Sequence, residues 1–517
     1  MLGVAAHRLG DLRLALVAKR RAATLMPHDV AIQTNLANTL RRTGHLQEAE
    51  RVLRRVITVP AAPAAAHNML ALVLQSLGRT DEACAAFGAA MNSDPSFVQA
   101  HSNLLFLLAH EGGLSPADLL SAHQEFDRRH GMPLKARGRP HDNLPDPTKR
   151  LRVGFVSGDL RRHAVARFLL PIWKAIDPRF VDIVAYPTHP QDDEVTQQLR
   201  SLCTAWIPAW SLGDDALAAR IRADRIDILI DLSGHTAHNR LLVFARKPAP
   251  VQVSALGYPG TTGLSSMDYT ITDRFRTPRE LSTQFVEKVV WIPTACTFAH
   301  DAAADPAPLP ALGRGHMTFG SFQRPIKISR QTLDLWSDVL GALPGSRLLL
   351  GAVDDAATRD RLVSHLHRRG VERRRIDILP SVPMAEYLEA HAQVDILLDT
   401  VPYPSGTTAH HGIWMGVPTL TRTGDTPVTW QCAGLLGAAG LDHFIVNNDE
   451  AFVQRAVHWS KNLEALGSLR QTLRDHVKRA PLLQPRSVAA GIEAALREMW
   501  RRWCLREPVR SFEVGGV

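Results

Sequence analysis

Apolar and small positions in the first hundred residues recur every 34 residues. Leu2, Leu36, Leu70 and Leu104 form one column, Gly10, Gly44 and Gly78 a second, and Ala15, Ala49 and Ala83 a third. Pro27 and Pro95 stand two periods apart, with Pro60 and Pro63 around the equivalent place in the middle repeat. A small residue at the turn, alanines where helices cross closely and a proline closing the second helix are what stacked antiparallel helix pairs need. The pattern therefore predicts an α-solenoid over residues 1–112. Because Met1 falls inside the expected first helix, the array is expected to be truncated or to begin with an incomplete repeat. Helical spacing continues through His101 to about His130. The proline- and charge-rich run from Met132 to Arg150 then predicts a linker, so 113–150 reads as helical connector and linker.

The pattern changes at Leu151. LRVGFVSGDL is an apolar run ending in small and acidic residues, with a helix expected from about His163. DIVAYP, a helix over Asp214–Ala223 and the apolar run IDILIDL continue an alternation of strands and helices, which predicts a parallel sheet within 151–300. A proline- and alanine-rich joint at 301–315 separates a second lobe, 316–505, followed by a tail, 506–517. Its expected strands are MTFGSF, RLLLGAV, RIDILP, DILLDT and PTLTRT, alternating with helices such as Gln331–Leu343 and Ala356–Arg368. Two Rossmann-like α/β lobes in tandem form a cleft at their facing strand ends, where ligands of such sheets sit. Polar residues cluster at such ends in Gly158–His163, Leu232–Arg240, Gly257–Gly263 and the segment GSFQRPIKIS that carries Lys327. A sharper signal spans Val394–Thr421. There an apolar strand, ended by Pro402 and Pro404, delivers Ser405-Gly406-Thr407-Thr408 to the start of a helix that Gly416-Val417-Pro418 stops. Free N–H groups, two hydroxyls and the positive end of a helix dipole make a seat for phosphate.

Composition narrows the classes. A length of 517 residues predicts about three domains, and 45% hydrophobic with 21% charged residues is an ordinary globular balance. No apolar run approaches the roughly 20 residues that cross a bilayer, and the charged N-terminus lacks a secretory pattern, so a cytoplasmic protein is expected. The formal charge of +9 suits an anionic ligand. Its spread along the chain, with no aromatic-and-basic motif, argues against nucleic acid. Cys84, Cys203, Cys296, Cys432 and Cys504 lie far apart with no C-x-x-C, which argues against disulfides and a zinc site. No D-x-D triplet occurs, so no carboxylate pair for a phosphate-bridging divalent ion is evident, and no metal or other cofactor is expected.

The helical units resemble tetratricopeptide repeats. RIDILIDLSGHTAHNRLLVFARKPAPVQV, LGYPGTTGLSSMDYTITD and the Gly-Thr-Thr turn resemble the protein O-linked N-acetylglucosamine transferase and SPINDLY family, glycosyltransferase family 41. LSGHTAHNRL and the GSF before the lysine are closer to the SPINDLY branch and its bacterial relatives. The resemblance covers essentially the whole chain. It implies a GT-B fold of two nucleotide-binding-type lobes and inverting transfer of a sugar from a nucleotide sugar to Ser or Thr of a protein. UDP-N-acetylglucosamine is the expected donor, GDP-fucose the nearest rival, and the repeats are expected to hold acceptor proteins or peptides.

The same resemblance implies roles for single residues. His163 matches the cleft histidine proposed as base, with Asp159 one helical turn earlier to orient it. Lys327 with Gly406, Thr407 and Thr408 would stabilise the departing diphosphate. Tyr387 matches a position that stacks on the nucleobase. Gln323, Arg324, Gly257 and Pro259 are expected around the nucleotide sugar, and His235, His238 and Arg240 on its acceptor or sugar side. His101 and His110 are read as packing residues where the repeats meet the catalytic region. Two departures stand out. His411 occupies a place where the family usually offers an acidic residue to the ribose. Around the phosphates, the loop before Lys327 reads Gln323-Arg324-Pro325-Ile326 where the SPINDLY branch has an amide-rich run, while Trp430 replaces a commonly basic position. They keep open a repeat-based interaction protein with inactive lobes, and transfer to a small molecule or glycan is a third option. Membrane and nucleic-acid partners are not expected, and self-association is left open.

Overall fold

The computed structural model describes residues 2, 3, 6, 11–295, 297–301 and 303–515. Its N-terminal part is a stack of helices: Leu12–Leu25, Val30–Arg42, Leu46–Val56, Ala64–Ser76, Thr80–Ser93 and Val98–Glu111. The alanine column sits at the crossings, where Ala15, Ala49 and Ala83 are fully buried, and Leu36 and Leu70 face the same core. Gly44 and Gly78 turn the chain between helices with φ of 79° and 71°, a region that costs other residues a Cβ clash. Leu2 is exposed, unlike the rest of its column, and Gly10 lies outside the described residues. The turns rest on the second lobe. A Cβ at Gly78 would lie 3.2 Å from the Arg361 guanidinium carbon, and one at Gly112 only 2.8 Å from Pro402 Cγ.

The connector is helical over Pro116–Phe126, passes through a π-helical turn at Asp127–Gly131 and ends with Met132–Lys135, four residues into the expected linker. It wedges imidazoles into the seam between repeats and first lobe. His101 Nδ1 lies 3.1 Å from His130 Nε2, and His123 Nε2 lies 2.9 Å from the Tyr258 hydroxyl.

The first lobe is built on eight parallel strands: β1 (Leu151–Ser157), β2 (Val181–Pro187), β3 (Ala205–Trp206), β4 (Ile228–Asp231), β5 (Val251–Ser254), β6 (Tyr269–Thr272), β7 (Lys288–Trp291) and β14 (Phe512–Glu513). Their order is β14-β7-β6-β5-β4-β1-β2-β3. Val153 pairs with Ile183 on one side and Ile228 on the other, so β1 is central, and helices on both faces explain its nearly continuous apolar run. Strands β5 to β7 carry too short an alternation to be read as strands from sequence. The second lobe holds six parallel strands: β8 (Thr318–Ser321), β9 (Arg347–Leu350), β10 (Ile376–Ile378), β11 (Ile396–Leu398), β12 (Thr419–Arg422) and β13 (Ile445–Val446). Their order is β10-β9-β8-β11-β12-β13.

One boundary read from sequence is corrected. The sequence pattern puts the helix Pro485–Cys504 with the second lobe and 506–517 in a tail, yet Val488, Leu496, Met499 and Trp500 pack with Val153, Phe155, Leu169 and Trp173 of the first-lobe core. Beyond the helix, β14 pairs with β7, and Trp500 Nε1 donates to the Asp146 carbonyl at 2.8 Å. The chain therefore closes back onto its first sheet, because the apolar face of that helix matches a groove left open there. Among the described residues, no helix is long and apolar enough to cross a membrane.

Candidate active site

The Gly-Thr-Thr corner forms at the carboxyl end of β11. The strand leads into Asp399, a buried carboxylate that accepts hydrogen bonds from the Thr400 and Ser405 N–H groups at 2.9 and 2.7 Å and from Thr421 Oγ1 at 2.6 Å. These bonds fold the 400–405 loop back so that Gly406 becomes the N-cap of the helix Thr407–Trp414. No side chain caps that helix, which leaves its first-turn N–H groups open to an anion. Gln323 Nε2, after β8, donates to Thr408 Oγ1 at 2.6 Å. Lys327, in a short 3-10 turn, donates to the Pro404 carbonyl at 2.9 Å and sits 4.7 Å over the Tyr403 ring. Burial lowers its pKa to about 8, with Arg324 adding to the effect and Asp399 opposing it. The ammonium is therefore charged at neutral pH, beside an uncapped helix start. Such a pair of positive ends favours a dianionic group between them.

The first lobe faces this corner with Asp159 and His163. Sequence spacing placed Asp159 a helical turn before His163, but the helix starts only at Ala164, and Asp159 lies in the loop after β1. The pair still meets. His163 Nδ1 is 3.4 Å from Asp159 Oδ1 and 3.3 Å from the Val165 N–H that it caps. Accepting from Val165 leaves the ring proton on Nε2, whereas donating to Asp159 frees Nε2 as an acceptor, so the two bonds select different tautomers. Burial holds His163 down to about 4, with Arg161 and then Arg324 contributing, and burial raises Asp159 to about 6. Phe168, on the helix that His163 caps, meets His410 of the second lobe with ring centroids 5.2 Å apart, so both lobes border one cleft.

Tyr387, on the helix Met384–Ala390, reaches the same helix start from the other side: its hydroxyl is 3.2 Å from His411 Nδ1. Burial, followed by Arg167, lowers His411 to about 4, so the ring is neutral. His410 stacks on Phe298 at 4.5 Å and 13°, part of an aromatic contact that also takes in His411 and joins the lobes through Phe168. Trp430 turns inward and donates to the Gly424 carbonyl at 2.9 Å.

Other expected residues are not at the corner. His235, expected on the acceptor or sugar side, is buried in the seam, where Nδ1 meets Ser102 Oγ at 3.1 Å and Nε2 meets the Thr262 carbonyl at 2.9 Å. Arg240 is also structural. It pairs with Asp214 at 2.7 Å and donates to the carbonyls of Ala209 and Leu212. Their loop turns away because Asp231, at the end of β4, binds the Ser233 and Gly234 N–H groups and pulls it inward. His238 alone of the three is exposed, and it packs on Gly158 beside Asp159. Gly257 has a packing reason, since a Cβ there would lie 1.8 Å from the Leu232 carbonyl oxygen. Pro259 follows Tyr258, which anchors the loop to His123 and touches Val428 of the second lobe. Sequence reasoning missed the part of Asp399, whose position at a strand end was a usable signal, and that of Tyr403, which had none.

Among the described residues, no three His, Cys, Asp or Glu side chains come together as metal ligands. Cys84, Cys203, Cys432 and Cys504 are free thiols, and Cys296 lies outside the described residues.

Comparison with known proteins gives a consistent picture. The model of glycosyl transferase family 41 matches residues 95–304 and 311–492, and tetratricopeptide repeat models match 30–59 and 64–97. The chain is 33% identical over 423 residues to a protein of Arabidopsis thaliana named probable UDP-N-acetylglucosamine--peptide N-acetylglucosaminyltransferase SPINDLY. That match covers 80% of this chain and 46% of the relative. A second Arabidopsis protein with that enzyme name, SEC, is 29% identical over 75% of this chain and 40% of its own. The chain thus spans about half the length of these curated relatives. A solved structure of a mutant O-GlcNAc transferase from Thermobaculum terrenum is similar throughout, with a TM-score of 0.90 and 32% identity over 98% of this chain and 97% of that one.

Proposed function

The chain belongs to glycosyl transferase family 41, and on that premise we propose that it is a protein O-glycosyltransferase. In this reading it moves N-acetylglucosamine from UDP-N-acetylglucosamine to Ser or Thr of proteins, with inversion at the anomeric carbon and without a metal ion. The observation that carries the reading is the corner at which Lys327, Gln323 and the uncapped start of the helix Thr407–Trp414 converge. As the bond to the sugar breaks, negative charge grows on the diphosphate. A fixed ammonium and aligned N–H dipoles stabilise that charge most when it is fully developed. Asp159, ionised above about pH 6, takes the His163 Nδ1 proton as a hydrogen bond, which frees Nε2 to accept the proton of the acceptor hydroxyl. Tyr387 and His411 lie at the nucleoside end. The names of the Arabidopsis relatives favour UDP-N-acetylglucosamine over GDP-fucose.

The test is to incubate the protein with a lysate and either radiolabelled UDP-N-acetylglucosamine or GDP-fucose. Label from the first donor is expected in protein; label only from the second would replace the donor, and none from either would overturn the reading. A second reading, a repeat-based binding protein with silent lobes, is favoured by His411. Its Nδ1 is engaged by Tyr387, and the position offers no carboxylate to a ribose. Calorimetry with UDP and GDP separates the two, since silent lobes without a nucleotide site bind neither.

A further inference from the structure

We propose that His110, on the last helix of the repeat array, is a positioning residue for Lys327 and acts through the ring of Tyr403. The inference rests on the reading of Lys327 as the group that meets the leaving diphosphate. His110 lies one residue before the end of the helix Val98–Glu111, and its ring stacks on Tyr403 at 3.6 Å and 7°. Lys327 Nζ lies 4.7 Å from the centroid of that same ring. An imidazole at 3.6 Å leaves no room for an ammonium on its own face, so Lys327 takes the other face and the phenol ring is held between them.

Both contacts that hold Nζ belong to consecutive residues, the Tyr403 ring and the Pro404 carbonyl. The array braces the segment Pro402–Tyr403 that leads into them at three points. His110 covers the ring, Phe106 one turn earlier lies 6.3 Å from it, and Gly112 abuts Pro402 so closely that a Cβ would lie 2.8 Å from Pro402 Cγ. The imidazole is itself fixed, because Nδ1 is 2.7 Å from the Phe106 carbonyl. Burial, opposed by the bond to the Phe106 carbonyl and helped by Lys327 and Arg324, lowers its pKa to about 3, so the ring is neutral and does not repel the ammonium. The quadrupole of a desolvated aromatic face attracts a cation and so sets its place within a site. A misplacement of about 1 Å costs up to about a hundredfold in rate. The repeats therefore help to hold the chemical site, and removing residues 1 to about 110 would impair donor hydrolysis as well as transfer to protein.

Three full-length variants test this, read by hydrolysis of UDP-N-acetylglucosamine without acceptor. His110→Leu keeps the volume and loses the flat ring; His110→Phe keeps the ring and loses both nitrogens. The Leu variant is expected to lose about tenfold in kcat with KM within about twofold, and the Phe variant to keep at least half of the turnover. If Leu and Phe turn over alike, His110 only fills space and the proposal fails. Lys327→Ala, measured alongside, separates the layers. Loss of turnover there with an unimpaired His110→Leu overturns this inference alone. Full turnover in Lys327→Ala, or none in the unsubstituted chain, overturns the reading beneath it as well.

Discussion

Lys327 carries the sharpest consequences at the scale of single residues. It is expected to lose at least about a hundredfold in kcat as Lys327→Ala, because an interaction concentrated in the transition state disappears. Circular dichroism should show the fold unchanged, and a variant with full turnover would remove the lysine from the mechanism. The pH profile follows from two groups. Lys327 is lowered to about 8 by burial, so its charge, and turnover with it, is lost as pH rises through 8. Asp159 is raised to about 6, so the carboxylate that orients His163 is lost as pH falls through 6. A bell-shaped kcat profile with limbs near these values is expected, and Lys327→Arg should carry the alkaline limb beyond the measurable range. An alkaline limb unmoved in Lys327→Arg would assign that limb to another group.

Elements, more than side chains, decide how the repeats meet the second lobe. Gly112 ends the last repeat helix at φ 60° with Pro402 against it, so Gly112→Val is both strained and sterically blocked. A loss of about 1–3 kcal/mol is expected in chemical denaturation, together with reduced donor hydrolysis. Gly88→Ala, inside a helix with open space where its Cβ would sit, is the matched control and should be neutral or stabilising by up to about 1 kcal/mol. Equal effects of the two changes would mean that the seam between array and lobe carries no special fit.

The whole molecule depends on two long-range closures. Removing residues 485–517 strips Val488, Leu496, Met499 and Trp500 from the first-lobe core, at about 1.5–3 kcal/mol for each large apolar side chain. The truncated chain is expected to be recovered insoluble or molten, and a cooperative melt at the original temperature would refute the closure. The second closure is the seam between repeats and first lobe, where burial holds His101 and His123 down to about 4 and His235 well below its usual value. Their unfolded counterparts take up protons below about pH 6.5 while the folded rings do not. Stability is therefore full above that pH and falls as pH drops towards 4, by about 1.4 kcal/mol per pH unit for each ring. A lower urea midpoint at pH 5 than at pH 7 is expected, with the difference reduced in His123→Gln. An unchanged midpoint would show that the seam opens before the rest of the protein unfolds.

Local pattern alone was enough for the repeat array, the Gly-Thr-Thr corner and the alternation of strands and helices in both lobes, short strands such as β5 to β7 excepted. Each rests on residues close in sequence: alanines 34 apart, an apolar strand, a glycine and two threonines at a helix start. Lys327 and Gln323 stand in a segment that the sequence marks as polar just past a strand end, and Thr408 in the corner itself, while their expected roles came from the family resemblance. What only the tertiary structure decided are the contacts that join distant segments. Packing sent His235 and Arg240 into structural bonds, folded the C-terminal helix onto the first sheet and laid His110 against Tyr403. A side chain's partner tens to hundreds of residues away is set by how buried faces fit together, and no short window of sequence records that fit.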